Sequence, residues 1–259
     1  MTSAGGVWLS ALPAIAALGV IAWALCTARR NLGLVDVFWS LFFLLATVVY
    51  AAVAQPAGPR TPLLIALVAA WAVRLALHLG VRNWNAPEDR RYQAIRARNQ
   101  PHFEWKSLYL VFGLQALLAW LVSAPLAAAV ASTEPLSPLD AVGALVATFG
   151  LVFEAVGDAQ LARFRRDPRN AGQVLDRGLW RWSRHPNYFG EACVWAGMWL
   201  IALAAGSAWT VFSPLLMTLL LLRVSGVALL EKTIGDRRPA YRDYVARTSP
   251  FLPLPPRNP

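Results

Sequence analysis

Seven stretches of the chain are apolar over a length that suits a bilayer crossing, and polar residues gather between them. The runs are Val7–Thr27, Leu34–Ala54, Pro62–Val81, Ser107–Ala131, Leu139–Leu161, Pro186–Ala205 and Ala208–Leu230. A helix needs roughly 20 apolar residues to cross a hydrocarbon core, so each run predicts a transmembrane helix. The pattern predicts an all-α integral membrane protein, a bundle of seven transmembrane helices forming a single domain over residues 1–259. The first run has no Lys or Arg before it, and its apolar core is longer than the 7–15 residues typical of a cleaved signal. It is read as a retained helix. Composition agrees, because 57% of the 259 residues are hydrophobic and only 15% charged, too apolar for an ordinary soluble domain.

Charge then orients the bundle. Arg29 and Arg30 follow the first run; Arg82, Arg90, Arg91, Arg96, Arg98 and Lys106 follow the third. Seven arginines from Arg163 to Arg184 follow the fifth, and six basic residues from Lys232 to Arg257 follow the seventh. The alternate connections hold only Arg60. By the positive-inside rule the N-terminus lies outside and the C-terminus is cytoplasmic. The net charge of +10 therefore reflects topology, and no nucleic-acid partner is expected. The long connections share the basic side, so a site is expected to open to the cytoplasm. Cys26 and Cys193 are far apart and suggest neither a disulfide nor a metal site.

Ionisable residues inside the runs are costly in a membrane and mark function or pairing. Arg74, His78 and Arg82 recur every four residues and share one helix face. Glu154 and Asp158 are four apart, with Arg165 seven further on; Asp36 sits near the inner end of the second run, one turn before Trp39. Arg223 lies about two turns before Glu231. These faces are expected to converge on one polar pocket.

The densest local signal is Trp182-Ser183-Arg184-His185-Pro186-Asn187-Tyr188-Phe189-Gly190-Glu191. Proline suits a first helical turn, which puts His185 near the N-cap of the sixth helix. A helix start offers unpaired N–H groups and the positive end of the dipole to a phosphate, and Arg181 and Arg184 add charge. Asn187, Tyr188 and Glu191 project from the following turns. No G-x-G-x-x-G, phosphate-binding P-loop, H-E-x-x-H or serine elbow is present, so a Rossmann cofactor domain is excluded.

Arg184 through Glu191, with Glu88-Asp89-Arg90-Arg91-Tyr92 upstream and an ending that runs from Glu231 through Tyr241, Tyr244 and Pro250 to Pro253, resembles the bacterial DUF1295 branch of the steroid 5-alpha-reductase family. The resemblance runs from Asp36 to the tail. It implies a membrane reductase that takes NADPH from the cytoplasmic side and reduces a carbon–carbon double bond conjugated to a carbonyl in a steroid-like lipid. Asp158 and Arg165 resemble residues that hold the adenosine and phosphate parts; Asn187, Tyr188 and Glu191 match the motif around nicotinamide and ribose. Arg223 resembles a basic residue of the last span, and Arg74, Arg184 and His185 join the cofactor-binding set. Eukaryotic members polarise the substrate carbonyl with a glutamate of the second span and a tyrosine of the third. Neither is evident in this sequence; Asp36 and His78 sit in plausible places and are the candidate catalytic residues.

Two other readings fit parts of the pattern. Membrane methyltransferases of the isoprenylcysteine carboxyl type carry a similar Arg-His-Pro-x-Tyr-x-Gly segment and use S-adenosylmethionine. A non-catalytic lipid-binding protein could keep the same fold. The Glu-Asp-Arg-Arg-Tyr segment and the additional helices before it favour the reductase. Expected partners are a lipid-like substrate and membrane lipids, with no oligomeric state legible. The Ala- and Arg-rich, Lys-poor usage points to a bacterial inner membrane.

Overall fold

A computed structural model describes residues 3–224 and 240–257. Among these the secondary structure is helical throughout. Five helices or helix pairs are long and apolar enough to cross a membrane: Ala4–Ala28, Leu32–Val53, Thr61–Asn83, Phe103–Val122 and Pro138–Arg166. They match the first five predicted runs. The sixth run forms a helix over Pro186–Ala204 whose first turns are too polar to count by composition. The seventh begins as the shorter apolar helix Ala208–Arg223, and Glu231, Lys232, Arg237 and Arg238 lie outside the described residues.

The chain divides into two compact units, Met1–Pro138 with Ile201–Thr210, and Leu139–Leu200 with Val211–Pro259. In the first unit the opening span is two helices, α1 (Ala4–Ser10) and α2 (Leu12–Ala28), with Pro13 in the first turn of α2. Proline lacks an N–H and is tolerated only at such a start, which explains the break. The next spans are α3 (Val35–Val53) and α4 (Thr61–Asn83). They pack through large side chains: Phe43 meets Trp71 edge-on at 5.7 Å, and Ser40 Oγ donates to the Ala72 carbonyl at 2.9 Å. Arg60, the single basic residue of the sparse side, is wholly buried. It donates to the carbonyls of Glu134, Pro135 and Ala204 at 2.7, 3.0 and 3.2 Å, satisfying acceptors that loop and helix ends leave open.

The connection after α4 contains a helix that hydrophobic periodicity did not announce, α5 (Arg90–Arg98), capped by Asp89 accepting from the Arg91 N–H. The fourth span is built in pieces: α6 (Phe103–Ser107), a π-helical stretch over Leu108–Gly113, α7 (Leu114–Val122) and α8 (Ala124–Ala131). Pro125 near the start of α8 accounts for the last break. Trp8 and Trp120 stack at 4.4 Å, each indole N–H donating to the other's carbonyl.

The second unit rests on α9 (Pro138–Arg166) and α10 (Pro186–Ala204). At 29 residues, α9 is about 43 Å long at 1.5 Å per residue. That exceeds a core of about 30 Å, so the exposed basic end with Arg163, Arg165 and Arg166 is free to project beyond it. The two helices meet backbone to backbone. A Cβ on Gly150 would lie 2.5 Å from the Gly190 carbonyl oxygen, one on Gly190 2.6 Å from the Glu154 nitrogen, and one on Gly197 2.5 Å from the Gly143 oxygen. Gly143, Gly150 and Gly157 recur every seven residues on α9, as Gly190 and Gly197 do on α10. That spacing keeps one seam facing a partner helix, and small residues let membrane helices approach closely. Then follow α11 (Phe212–Leu219), a π-helical segment over Leu220–Val224, and the short helix α12 (Ala240–Arg247), which carries Tyr241 and Tyr244.

Candidate functional site

The glycine seam sets the position of the polar site in the second unit. Because α9 and α10 touch at Gly150 and Gly190, the next turns in each direction along α9 and α10 bring their ionisable side chains together. Glu154 and Asp158 of α9 are 2% and 5% exposed, and Arg184, His185 and Glu191 around the start of α10 are 8%, 5% and 6% exposed. Asn187 Nδ2 donates to Asp158 Oδ1 at 3.1 Å. The Asn187 Oδ1 atom is buried with no hydrogen-bond partner among the described residues. His185 and Tyr188 stack with centroids 5.4 Å apart and planes 6° from parallel. The backbone at His185 behaves as an N-cap: its carbonyl accepts from the Phe189 N–H, and its own N–H is taken by Ser183 Oγ.

The approach to this helix start is tied down from several sides. Trp180 Nε1 donates to the Gly157 carbonyl at 3.0 Å, and Gln160 Oε1 accepts from the Leu179 N–H at 2.9 Å. Gly178, at φ +63°, turns the chain beneath Gln160, where a Cβ would lie 2.5 Å from Oε1; both the positive φ and the contact call for glycine. The extended tail after α12 straps over the same loop. Arg184 N–H donates to the Ser249 carbonyl, Ser183 Oγ to that of Phe251, and Leu254 N–H to that of Trp182. The hydroxyl of Tyr244 donates to the Trp180 carbonyl. Trp180 and Tyr244 are the positioning residues that sequence reasoning left without a role.

The remaining predicted residues distribute as follows. Arg165 is exposed near the end of α9, and Arg223 is exposed on the Leu220–Val224 segment. Arg74 and His78 are half-buried on α4 in the first unit, where Asp36 also lies. Glu231, the expected companion of Arg223, is outside the described residues.

Around Asp36 the first unit assembles a second polar cluster. Arg91 Nη2 approaches Asp36 Oδ2 at 3.1 Å, and the Tyr92 hydroxyl donates to Asp36 Oδ1 at 2.7 Å. Gln115 Nε2 donates to the Tyr92 oxygen at 3.3 Å. Burial, with the Asp36 carboxylate beside it, pushes the Tyr92 phenol well above its usual range. Burial alone would lower the Arg91 guanidinium, but Asp36 and Asp89 outweigh it and hold the group more firmly protonated than usual. Asp36 is thus paired with Arg91 and accepts from the Tyr92 hydroxyl. Next to it, Arg96 pairs with Glu88 at 2.9 Å, and Glu88 Oε1 also accepts from the Leu32 N–H at 3.0 Å. The Glu88–Tyr92 segment therefore links α5 to the start of α3. The sequence displayed that segment, but the partnership of Tyr92 with a residue 56 positions away had no local signal.

These features define a helical membrane protein with a polar cluster buried at the start of one helix. The family described as a protein of unknown function, DUF1295, matches residues 22–248, and the chain belongs to it. An uncharacterized protein of Schizosaccharomyces pombe is 24% identical over 271 aligned residues, covering 91% of this chain and 76% of its own length. No solved structure matches the chain.

Proposed function

We propose that the protein is an NADPH-dependent reductase of a carbon–carbon double bond conjugated to a carbonyl in a lipid substrate, built on seven membrane-spanning helices with Pro186–Ala204 and the helix from Ala208 as the last two. The resemblance of the Arg184–Glu191 and Glu88–Tyr92 segments to the steroid 5-alpha-reductase family motivates this reading. The observation that carries it is the buried Asp158–Asn187 pair with the Asn187 Oδ1 acceptor left over. An amide N–H of a ligand is the natural complement to such an atom, since an unmet buried acceptor costs about 1–3 kcal/mol.

The chain's own residues would divide the work. Asp158 fixes the Asn187 amide, and the positive helix start between Arg184 and Asn187 suits phosphate or ribose oxygens. Tyr188, held flat on His185, offers an aromatic face. Glu191, Arg165 and Arg223 complete the set that the resemblance assigns to the cofactor. When bound, NADPH supplies the hydride. Reduction of an enone builds negative charge on the carbonyl oxygen, and a fixed donor there lowers the barrier. The Tyr92 hydroxyl is one candidate: its single proton, given to Asp36 in this structure, would have to turn to the substrate oxygen on binding; His78 is the other candidate for a proton transfer.

The test is ligand-dependent melting of the detergent-purified full-length protein. NADPH should raise the melting temperature and S-adenosylmethionine should not, and Asn187→Ala should abolish the NADPH shift. A shift with S-adenosylmethionine alone would establish methyl transfer instead, and silence to both would leave a lipid-binding role.

A further inference from the structure

A second polar feature of the Leu139–Leu200 and Val211–Pro259 unit shares only Arg181 with the surroundings of the expected dinucleotide site. α12, the loop before α10 and the tail strap line an open cavity of about 420 Å³. Arg177 and Arg181 reach it from the loop, Arg247 from the end of α12 and Arg257 from the strap, with Asp176 and Tyr244 between them. Among the described residues, four arginines and one aspartate line it, and the Arg177 guanidinium also lies 5.9 Å from the centre of the Phe164 ring. Among the described residues, Arg247 and Asp176 approach across it at a long 3.9 Å.

The arginines are brought together by backbone ties rather than by chance overlap of long side chains. Arg257 N–H donates to the Arg247 carbonyl at 2.9 Å and Leu254 N–H to that of Trp182 at 3.0 Å. The Tyr244 hydroxyl anchors α12 to Trp180. The fold therefore gathers four exposed arginines around a concave surface, where their summed field attracts an anion. Guanidinium forks match the oxygens of a phosphate. Beside the cavity stand Trp182, Leu252 and Leu254, 44%, 54% and 49% exposed. Aromatic and aliphatic side chains next to arginines are what the headgroup layer of a membrane receives.

We propose that this cavity is a phosphate-binding site, filled by the headgroup of an anionic phospholipid or by the phosphate of a free nucleotide. The apolar rim favours the lipid. The site stands independently of the reductase reading, since Arg177, Arg247 and Arg257 have no part in the dinucleotide set and only Arg181 adjoins it.

The test uses the full-length protein in neutral detergent with short-chain phosphatidic acid and with 2′,5′-ADP, each followed by thermal shift and titration, and short-chain phosphatidylcholine as control. Arg181→Gln and Arg257→Gln should each weaken the phosphatidic acid response by about ten-fold, the loss of one charge-assisted contact. Arg257 lies on the extended strap, so its variant tests the site even where Arg181→Gln unfolds, and Arg257→Lys should retain part of the affinity. The same loss for 2′,5′-ADP instead would assign the site to a nucleotide phosphate. Asn187→Ala should leave the phosphatidic acid response intact, which separates this site from the dinucleotide reading. No response to either probe, or responses untouched by both glutamine variants, would overturn the proposal.

Discussion

In the first unit α3 and α4 meet through bulk, with Phe42, Phe43, Tyr50 and Trp71 all buried; in the second α9 and α10 meet through the absence of it, at Gly150, Gly190 and Gly197. The polar groups differ in the same way. Asp36, Arg91 and Tyr92 form a closed cluster at a helix end, each with a named partner within 3.1 Å. Asp158 and Asn187 lie beside a helix-to-helix contact and leave an acceptor over. A bundle filled by aromatic side chains has its interior occupied. A bundle closed on glycines brings two backbones close and lets polar side chains of adjacent turns meet, as Asp158 and Asn187 do.

The comparison can be broken most severely at the seam. Gly190→Leu places a branched side chain where even a Cβ meets backbone at 2.6 Å. Overpacking against backbone costs about 1–3 kcal/mol or more, so the expected outcome is loss of a monodisperse detergent-purified protein and of any ligand shift. A Phe43→Leu change in the other unit, by contrast, removes bulk and should lower the melting temperature while leaving the protein folded.

A smaller effect separates the members of the closed cluster. Asp36→Asn removes the charge facing Arg91, whose side chain is 26% exposed, and should destabilise by about 1.5–3 kcal/mol as a charged hydrogen bond is lost. Tyr92→Phe keeps the ion pair and should cost about 1 kcal/mol, while lowering turnover if the phenol serves as donor. Chemical denaturation of both variants checks the order; equal losses would mean that Tyr92 and not Arg91 holds Asp36.

The smallest expected effect is a pH dependence at Asp89. Burial raises its carboxyl, but the Arg91 side chain and N–H both donate to it and outweigh that, holding it below the ordinary 3.8. A depressed carboxyl stabilises the fold above its unfolded value and loses that contribution as pH falls through the folded one. Melting temperatures from about pH 5 to about pH 3 should therefore fall slightly more steeply for the natural protein than for Asp89→Asn. Parallel curves would remove this contact from the account of α5.

Much of this protein was legible along the chain. The run Leu139–Leu161 announced α9, and Pro186 fixed the start of α10, because apolar length and proline stereochemistry act locally. The cluster from Arg184 to Glu191 was readable for the same reason: it is contiguous. Breaks at Ala11 and Ser123 were less so, since a proline inside an apolar run signals a change of course without saying whether the helix kinks or stops. The helix α5 was hidden, because a basic segment with few apolar residues carries no strong periodicity.

What the sequence determined by itself is the apolar helical character, the asymmetric placement of arginines and the local polar start of α10, all of which rest on composition and short-range spacing. What only the tertiary structure decided is which distant residues became partners. Tyr92 donates to Asp36 from across 56 positions, Gly150 receives the Gly190 backbone, and Arg247 and Arg257 are brought beside Arg177 and Arg181. Such pairings depend on helix crossings and on the path of the tail. These follow from how the surfaces of whole helices fit together, and no window of adjacent residues contains that information.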